Sequence, residues 1–428
     1  MSKTDPTLFR IGRLDVGKET TFGTEAGSFK ALHTLDAPDF SGLQFQFLEN
    51  DYVRTADAQS AMIGGEANGT FTIRSSCRGY SAATPSAGAS GANFPESWLV
   101  CSALGQVVEG GYYAPGSDTA LTGSSTTAQL RGETIAALAS AAAFNVGGGV
   151  VYETSGGLVM NWLTEMTVDE VGASDTFELW QASPGTPNEA KLYGTVNAAK
   201  KTGNPYHVTG ATCPSFSFRW RGHDADDYRI LRGCRVVGAT FTATAGEIPY
   251  WDFTIAVSSW EVEGSGGAPA EPTAGEFGDV ADPVPFSGAT VTFGDNQAST
   301  YHIHGLTVDF GIEYSTVRSA SAGDGISNYL ITRRRCTASY AVEHDFSAEP
   351  TDAVGQTARK FSVYWGTEPG NIQGFAFKSA VIEAWPGWSE NEGRHVRDIT
   401  LRAVDYTADT GSAGATTAVD SDVVWSWG

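Results

Sequence analysis

Gly42-Leu-Gln-Phe-Gln-Phe-Leu-Glu-Asn-Asp-Tyr-Val-Arg54 returns later in the chain as Gly305-Leu-Thr-Val-Asp-Phe-Gly-Ile-Glu-Tyr-Ser-Thr-Val-Arg318. In the first stretch Leu43, Phe45 and Phe47 alternate with Gln44 and Gln46, the period of a half-buried strand. Further strand-like segments follow each copy in the same order. Cys213-Pro-Ser-Phe-Ser-Phe-Arg-Trp220 answers to Arg359-Lys-Phe-Ser-Val-Tyr-Trp365, and Asp252-Phe-Thr-Ile-Ala-Val257 to Asp398-Ile-Thr-Leu-Arg-Ala-Val404. The pattern predicts a duplicated β-domain. Duplication points to assembly, because doubling a subunit halves the number of chains that close a ring.

Around these segments the chain divides as follows. Residues 1–32 read as an extended N-terminal arm, and residues 33–262 as the first domain. A second strand is expected at Gly69-Thr-Phe-Thr-Ile-Arg74, with Glu49 to Asn68 as a long polar loop before it. Asn93 to Gly105 predicts a short helix, with Pro95 and Glu96 in its first turn and Trp98, Cys101 and Leu104 on one side. The stretch 119–201 has no counterpart in the second copy, carries its own strand signals and reads as a small inserted β-barrel. Within it, the Ala-rich 134–144 lacks an amphipathic pattern and its state is left open. Gly233 to Ala243 and Tyr250 to Trp260 predict a closing hairpin, repeated by Gly374 to Ala384 and His395 to Val404. Residues 263–288, rich in Gly, Pro and Ala and carrying Glu263, Glu271, Glu276, Asp279 and Asp282, read as a linker. Residues 289–410 then form the second domain, and 411–428 a C-terminal tail.

Composition bounds the function. The net charge of -22 argues against a protein that grips nucleic acid, since that affinity comes from Lys and Arg neutralising phosphates. The five cysteines, Cys77, Cys101, Cys213, Cys234 and Cys336, show no metal-ligand spacing and read as free thiols of a reducing compartment. The N-terminus lacks a signal-peptide core, and no run of ~18 apolar residues occurs, so synthesis in the cytoplasm without a membrane span is expected.

The sequence carries no Walker loop, G-x-G-x-x-G turn, G-x-S-x-G elbow or H-E-x-x-H helix. His302 and His304, alternate residues on a strand, could share an ion with His344 or His395, or could be surface side chains. The acidic cluster Asp224, Asp226 and Asp227 lacks the Gly and distal Glu of a calcium loop and reads as a solvated turn. Glu313 and Asp324 could be posed as a hydrolytic pair, as could many carboxylates of an acidic β-protein. Arg333-Arg334-Arg335 is the one basic cluster, read as a salt-bridging segment more than a nucleic-acid contact. Trp385, Trp388, Trp425 and Trp427 stand either for carbohydrate stacking or for core packing. No enzyme activity and no cofactor is expected.

The motif Gly17-Lys-Glu-Thr-Thr-Phe-Gly-Thr24, the strand from Gly42, and Pro214 to Trp220 leading through Gly233-Cys234-Arg235 to the closing hairpin resemble the major tail tube proteins of long-tailed bacteriophages. The resemblance covers most of residues 12–260, with the second copy matching the same order less closely. It implies two tandem β-sandwich domains with a flanking helix, packed into rings that stack as a hollow tube through which phage DNA passes without specific binding. Its implied partners are further copies of the chain, three to a ring, and the tape measure, terminator and tip proteins of a virion tail. It also implies that the loops after the first strands reach the adjacent ring. Here those contacts would be Glu49, Asp51, Arg54, Asp57 and Glu66, then Glu313, Arg318, Asp324, Arg333, Arg334 and Arg335. A carbohydrate-binding adhesin of a virion or cell surface is the alternative reading.

Overall fold

A computed structural model describes residues 12–48, 63–79, 95–108, 126, 129–132, 146–167, 175–201, 215–222, 228–263, 277, 281–295, 297, 302–320, 322, 325–342, 349–368, 370–391, 394–409 and 421–428. They are mainly β, in several antiparallel sheets with two helices. The first copy holds β1 (Arg13–Lys18), β2 (Lys30–Ala31), β3 (Leu43–Leu48), β4 (Ile63–Ser76), α1 (Pro95–Leu104) and β5 (Gln106–Val108). The insertion follows with β6 (Gln129–Gly132), β7 (Gly149–Thr154), β8 (Gly157–Thr167), β9 (Asp175–Leu179), β10 (Pro187–Gly194) and β11 (Val196–Lys201). The first copy then closes with β12 (Phe216–Arg221), β13 (Tyr228–Thr244), β14 (Tyr250–Val257) and β15 (Ser259–Glu263). The second copy comprises β16 (Thr290–Phe293), β17 (Ile303–Asp309), β18 (Ile312–Arg318), β19 (Ile326–Arg334), β20 (Thr337–Val342), α2 (Glu349–Gly355), β21 (Arg359–Trp365), β22 (Gln373–Ala384), β23 (Ser389–Asn391), β24 (Arg394–Ala403) and β25 (Ser421–Trp427).

The repeat is one of pairing. In the first copy β3, β4, β14 and β13 lie side by side in that order. In the second, β17, β20, β24 and β22 do the same. The C-terminal half of β13 then pairs with β17, from Thr240 opposite Asp309 to Thr244 opposite Gly305, which joins the two sets into one continuous sheet. The N-terminal half of each long strand belongs to a second ladder, β2-β1-β12-β13-β15 in one copy and β16-β21-β22-β25-β11-β5 in the other. A strand can serve two sheets where a bulge bends it. Bulges fall at Val236/Gly238 in β13 and at Ile382/Ala384 in β22, the same place in the pattern.

These registers correct the residue-by-residue match between copies. Thr72 and Ser339 face Thr254 and Thr400 on one side, and on the other Thr72 faces Asp39 while Ser339 faces Thr307. The counterpart of β17 is therefore the irregular segment 34–41, interrupted by Pro38, which cannot donate to a ladder. The alternating stretch β3 corresponds to β18 instead, since Phe45 faces Ala67 as Ile312 faces Arg334. Likewise Phe218 faces Leu231 where Phe361 faces Phe377, a two-residue shift from the Phe-Ser motif match. An even shift leaves every side chain on its own face, so the pattern survives the misalignment.

Aromatic rings bind the layers. Phe71 meets Phe218 at 5.3 Å between centroids in the first copy, and Tyr340 stacks on Phe361 at 5.4 Å in the second. Behind the joint, Phe241 meets Trp425 at 4.8 Å and Trp365 at 5.5 Å, and Trp251 meets Trp425 at 4.6 Å. First-copy and second-copy residues thus share one core. Truncating such a ring to Ala costs about 3–5 kcal/mol.

Four expectations change. The arm reading fails over residues 13–18, which form β1 between β2 and β12; Arg13 and Asp15 are buried there and bond each other at 2.6 Å. The tail reading fails over 421–427, where every residue of β25 is buried between β11 and β22. The linker contributes Phe286 to the core. Helix α1 is buried on all sides rather than one, because β5, β11 and β13 enclose it. The insertion forms a five-stranded sheet ordered β10-β7-β8-β9-β6. It packs on the second copy, with Trp162 Nε1 donating to Ser426 Oγ at 3.1 Å. The Ala-rich 134–144 lies outside the described residues.

Candidate assembly surfaces

One face of the continuous sheet is apolar and buried, with Phe71, Ile73, Phe253, Ile255, Phe241, Val308, Tyr340 and Leu401. Alternation turns Thr72, Arg74, Asp252, Thr254, Thr240, Thr242, Thr307, Asp309, Ser339, Asp398 and Thr400 to the other face. This face is rich in hydroxyls and its charges are partly paired. Arg74 Nε donates to Asp252 Oδ1 at 2.8 Å, a bond that holds the guanidinium pKa above its ordinary value. Ser339 and Thr400 hydroxyls lie 2.9 Å apart. An open groove of about 650 Å³ crosses the joint, lined by Thr240, Asp252, Asp309, Glu313, Arg335 and Glu383 among others. This face is thus a hydroxyl surface with spaced carboxylates.

The segment from Glu313 to Arg334, which the resemblance implies is the loop after the second copy's first strand, is the hairpin β18-β19. Its buried side, Ile326, Tyr329 and Ile331, packs on Val237 and Ala256 of the first copy, and Tyr329 Oη donates to Val257 O at 2.7 Å. The three arginines part at its base because successive strand residues point to opposite faces. Arg333 is exposed and lies 3.7 Å from Glu313. Arg335, beyond the strand end, pairs with Glu383. Arg334 is buried, 7% exposed, and Nε donates to Ala103 O at 2.6 Å, capping the C-terminus of α1. It is a bond within the chain, not a surface contact. Gly105, which ends α1 with φ 97°, leaves space for that guanidinium: a Cβ there would stand 2.8 Å from Arg334 Cζ. Nothing in the sequence separates Arg334 from its neighbours except strand parity.

Arg318 is exposed on β18, and Glu66 lies on β4. Glu49, Asp51, Arg54, Asp57 and Asp324 lie outside the described residues, as do His344 and the Asp224–Asp227 cluster. Glu313 is exposed and paired to Arg333, so the hydrolytic pair with Asp324 has no described geometry. His302 and His395 are exposed and His304 is half-buried. Among the described residues no three His, Cys, Asp or Glu side chains group as metal ligands. Among them also, no helix is long and apolar enough to cross a membrane.

Of the eleven Trp, Trp425 and Trp427 are fully buried, Trp260 and Trp385 half-buried, and Trp388 alone is exposed, at 41%. Arg397 sits between two indoles, 3.9 Å from Trp385 and 4.4 Å from Trp388. Sequence reasoning missed the two ends of the chain's sheets, where apolar side chains reach solvent. At the first-copy end these are Leu35 and Phe45, each 50% exposed, and, on β15 of the second ladder, Val262, 57% exposed; at the second-copy end it is Trp388.

In comparisons with known proteins, no protein-family model matches the chain and no curated protein matches it.

Proposed function

We propose that the chain is a structural, ring-forming subunit of a hollow tube, the tail tube of a long-tailed bacteriophage being its setting. Each copy is a β-sandwich unit, and the inserted sheet, curled as a small barrel, decorates the outside. The observation that carries the reading is the ladder between Thr240–Thr244 and Gly305–Asp309, which joins two equivalent units edge to edge within one chain. Sheet edges carry unpaired N–H and C=O groups, and closing the sheet into a barrel removes them. Seven strands and the bridging segment 37–41 make eight segments per chain in that sheet. Three chains then close a barrel of about 24 strands, roughly 45–50 Å across at a ~4.8 Å strand spacing and ~40° tilt. The hydroxyl face would line the bore, and the net charge of -22 opposes adhesion of phosphates, so DNA slides without sticking.

Electron microscopy of purified protein tests this. Rings or tubes with three-fold symmetry and two unequal units per chain are expected. A chain that stays monomeric at every concentration and never co-purifies with virions contradicts it.

A further inference from the structure

We infer that the contact between neighbouring copies repeats the joint inside the chain, with Trp388 of one copy seated on Val262 of the next. The inference rests on the ring reading and specifies its interface.

Inside the chain, β13 runs along β17 with Phe241 opposite Val308 and Thr242 opposite Thr307. Phe241 reaches past that edge to Trp425 at 4.8 Å, a residue of the second ladder in the following copy. Each participant has a counterpart at a free end. The paired bulges align Val236 with Ile382, and the hairpin pairings align Thr242 opposite Tyr250 with Ser389 opposite Val396. Trp388 then takes the place of Phe241, and its contact with Arg397 repeats that of Phe241 with Trp251 at 5.2 Å. On the receiving side, Val262 faces Arg229 as Trp425 faces Phe375, so Val262 takes the place of Trp425. Segment 37–41 takes the place of Gly305–Asp309, because Asp39 faces Thr72 as Thr307 faces Ser339.

Exposure agrees with the substitution. Phe241 and Trp425 are both 0% exposed, whereas their counterparts Trp388 and Val262 are 41% and 57% exposed. Size also agrees: inside the chain a Phe meets a Trp, and between chains a Trp meets a Val. Two apolar side chains that stand in solvent at opposite ends of the chain, one on each ladder, become buried together when a second copy closes the edge. In this register Ser389 of one copy lies opposite Asp39 of the next. Opposed Cα atoms in an antiparallel ladder are about 4.5–5.5 Å apart, within reach of a disulfide.

The experiment uses the full chain with Asp39→Cys and Ser389→Cys together, each single variant as control, and separately Trp388→Asp. Expected are covalent oligomers under oxidising conditions from the double variant only, ending at three chains, and at least a tenfold weaker association of Trp388→Asp with its monomer still folded by near-ultraviolet circular dichroism. Assembly of the unmodified chain with no cross-link in the double variant and unchanged association of Trp388→Asp overturns this interface but leaves the ring reading standing. A native chain that is monomeric at all concentrations overturns the ring reading and the interface with it.

Discussion

Lys378 on β22 and Asp409 form an ion pair with both side chains 0% exposed and Nζ 2.6 Å from Oδ2. The ammonium also lies 5.1 Å from the Tyr406 ring centroid. At the 2.6 Å between the two charges and an effective dielectric of ~20, their attraction is about 6 kcal/mol. Desolvation of two ions costs several kcal/mol each, so the pair is near neutral overall, while losing one partner leaves a charge buried. Lys378→Met therefore costs about 3–5 kcal/mol, and Lys378→Met with Asp409→Leu returns to within about 1 kcal/mol of the parent. Urea unfolding followed by tryptophan fluorescence, at a concentration where the chain is monomeric, measures both. A single variant that costs under 1 kcal/mol, or a double variant as unstable as the sum of the singles, refutes the reasoning.

Arg334→Met, which removes the cap on α1, is expected to cost about 2–3 kcal/mol in the same assay, and Arg333→Met under about 0.5 kcal/mol; equal effects contradict the buried cap. Burial alone would raise the pKa of Glu25, yet its bonds to Arg219, one at 2.8 Å, and to Arg232 at 3.1 Å hold it below the ordinary value. Its stabilisation is full above the usual glutamate range and fades as pH falls through the lowered value. Glu25→Gln should thus lose about 1–2 kcal/mol at neutral pH and match the parent below that value; a gap constant down to pH ~3 contradicts the assignment. Burial pushes the Cys336 thiol up to about 12 and raises Cys77 and Cys234 as well, while Cys101 is also buried. At most one of the five thiols should react with a disulfide reagent at pH ~8 before unfolding; two or more rapid reactions contradict that burial.

The β class was legible because Leu43, Phe45 and Phe47, or Phe253 and Ile255, alternate with polar residues. Helix α1 was legible from Pro95, Glu96 and Gly105, though its burial on all sides follows from strands distant in sequence. What could not be read was pairing. Arg13 and Asp15 are buried in β1 as a bonded pair, a contact that sequence does not announce. The resemblance implied a loop over Glu313–Arg334, where bulges at Glu313/Tyr314 and Val317/Arg318 interrupt the hairpin β18-β19. The repeat was visible as order and misread in register, because similar strands match each other at several even offsets. The exposed ends at Phe45, Val262 and Trp388 carry no local signal, since exposure is decided by which edge lacks a neighbour.

Native mass spectrometry of the purified chain, with symmetry from electron micrographs of the same sample, tests the central claim most directly. The account predicts a ring of about three times 45.1 kDa, or stacks of it, with three-fold averaged views. A single species at 45.1 kDa across the accessible concentration range, or rings closed by a number of chains other than three, contradicts it.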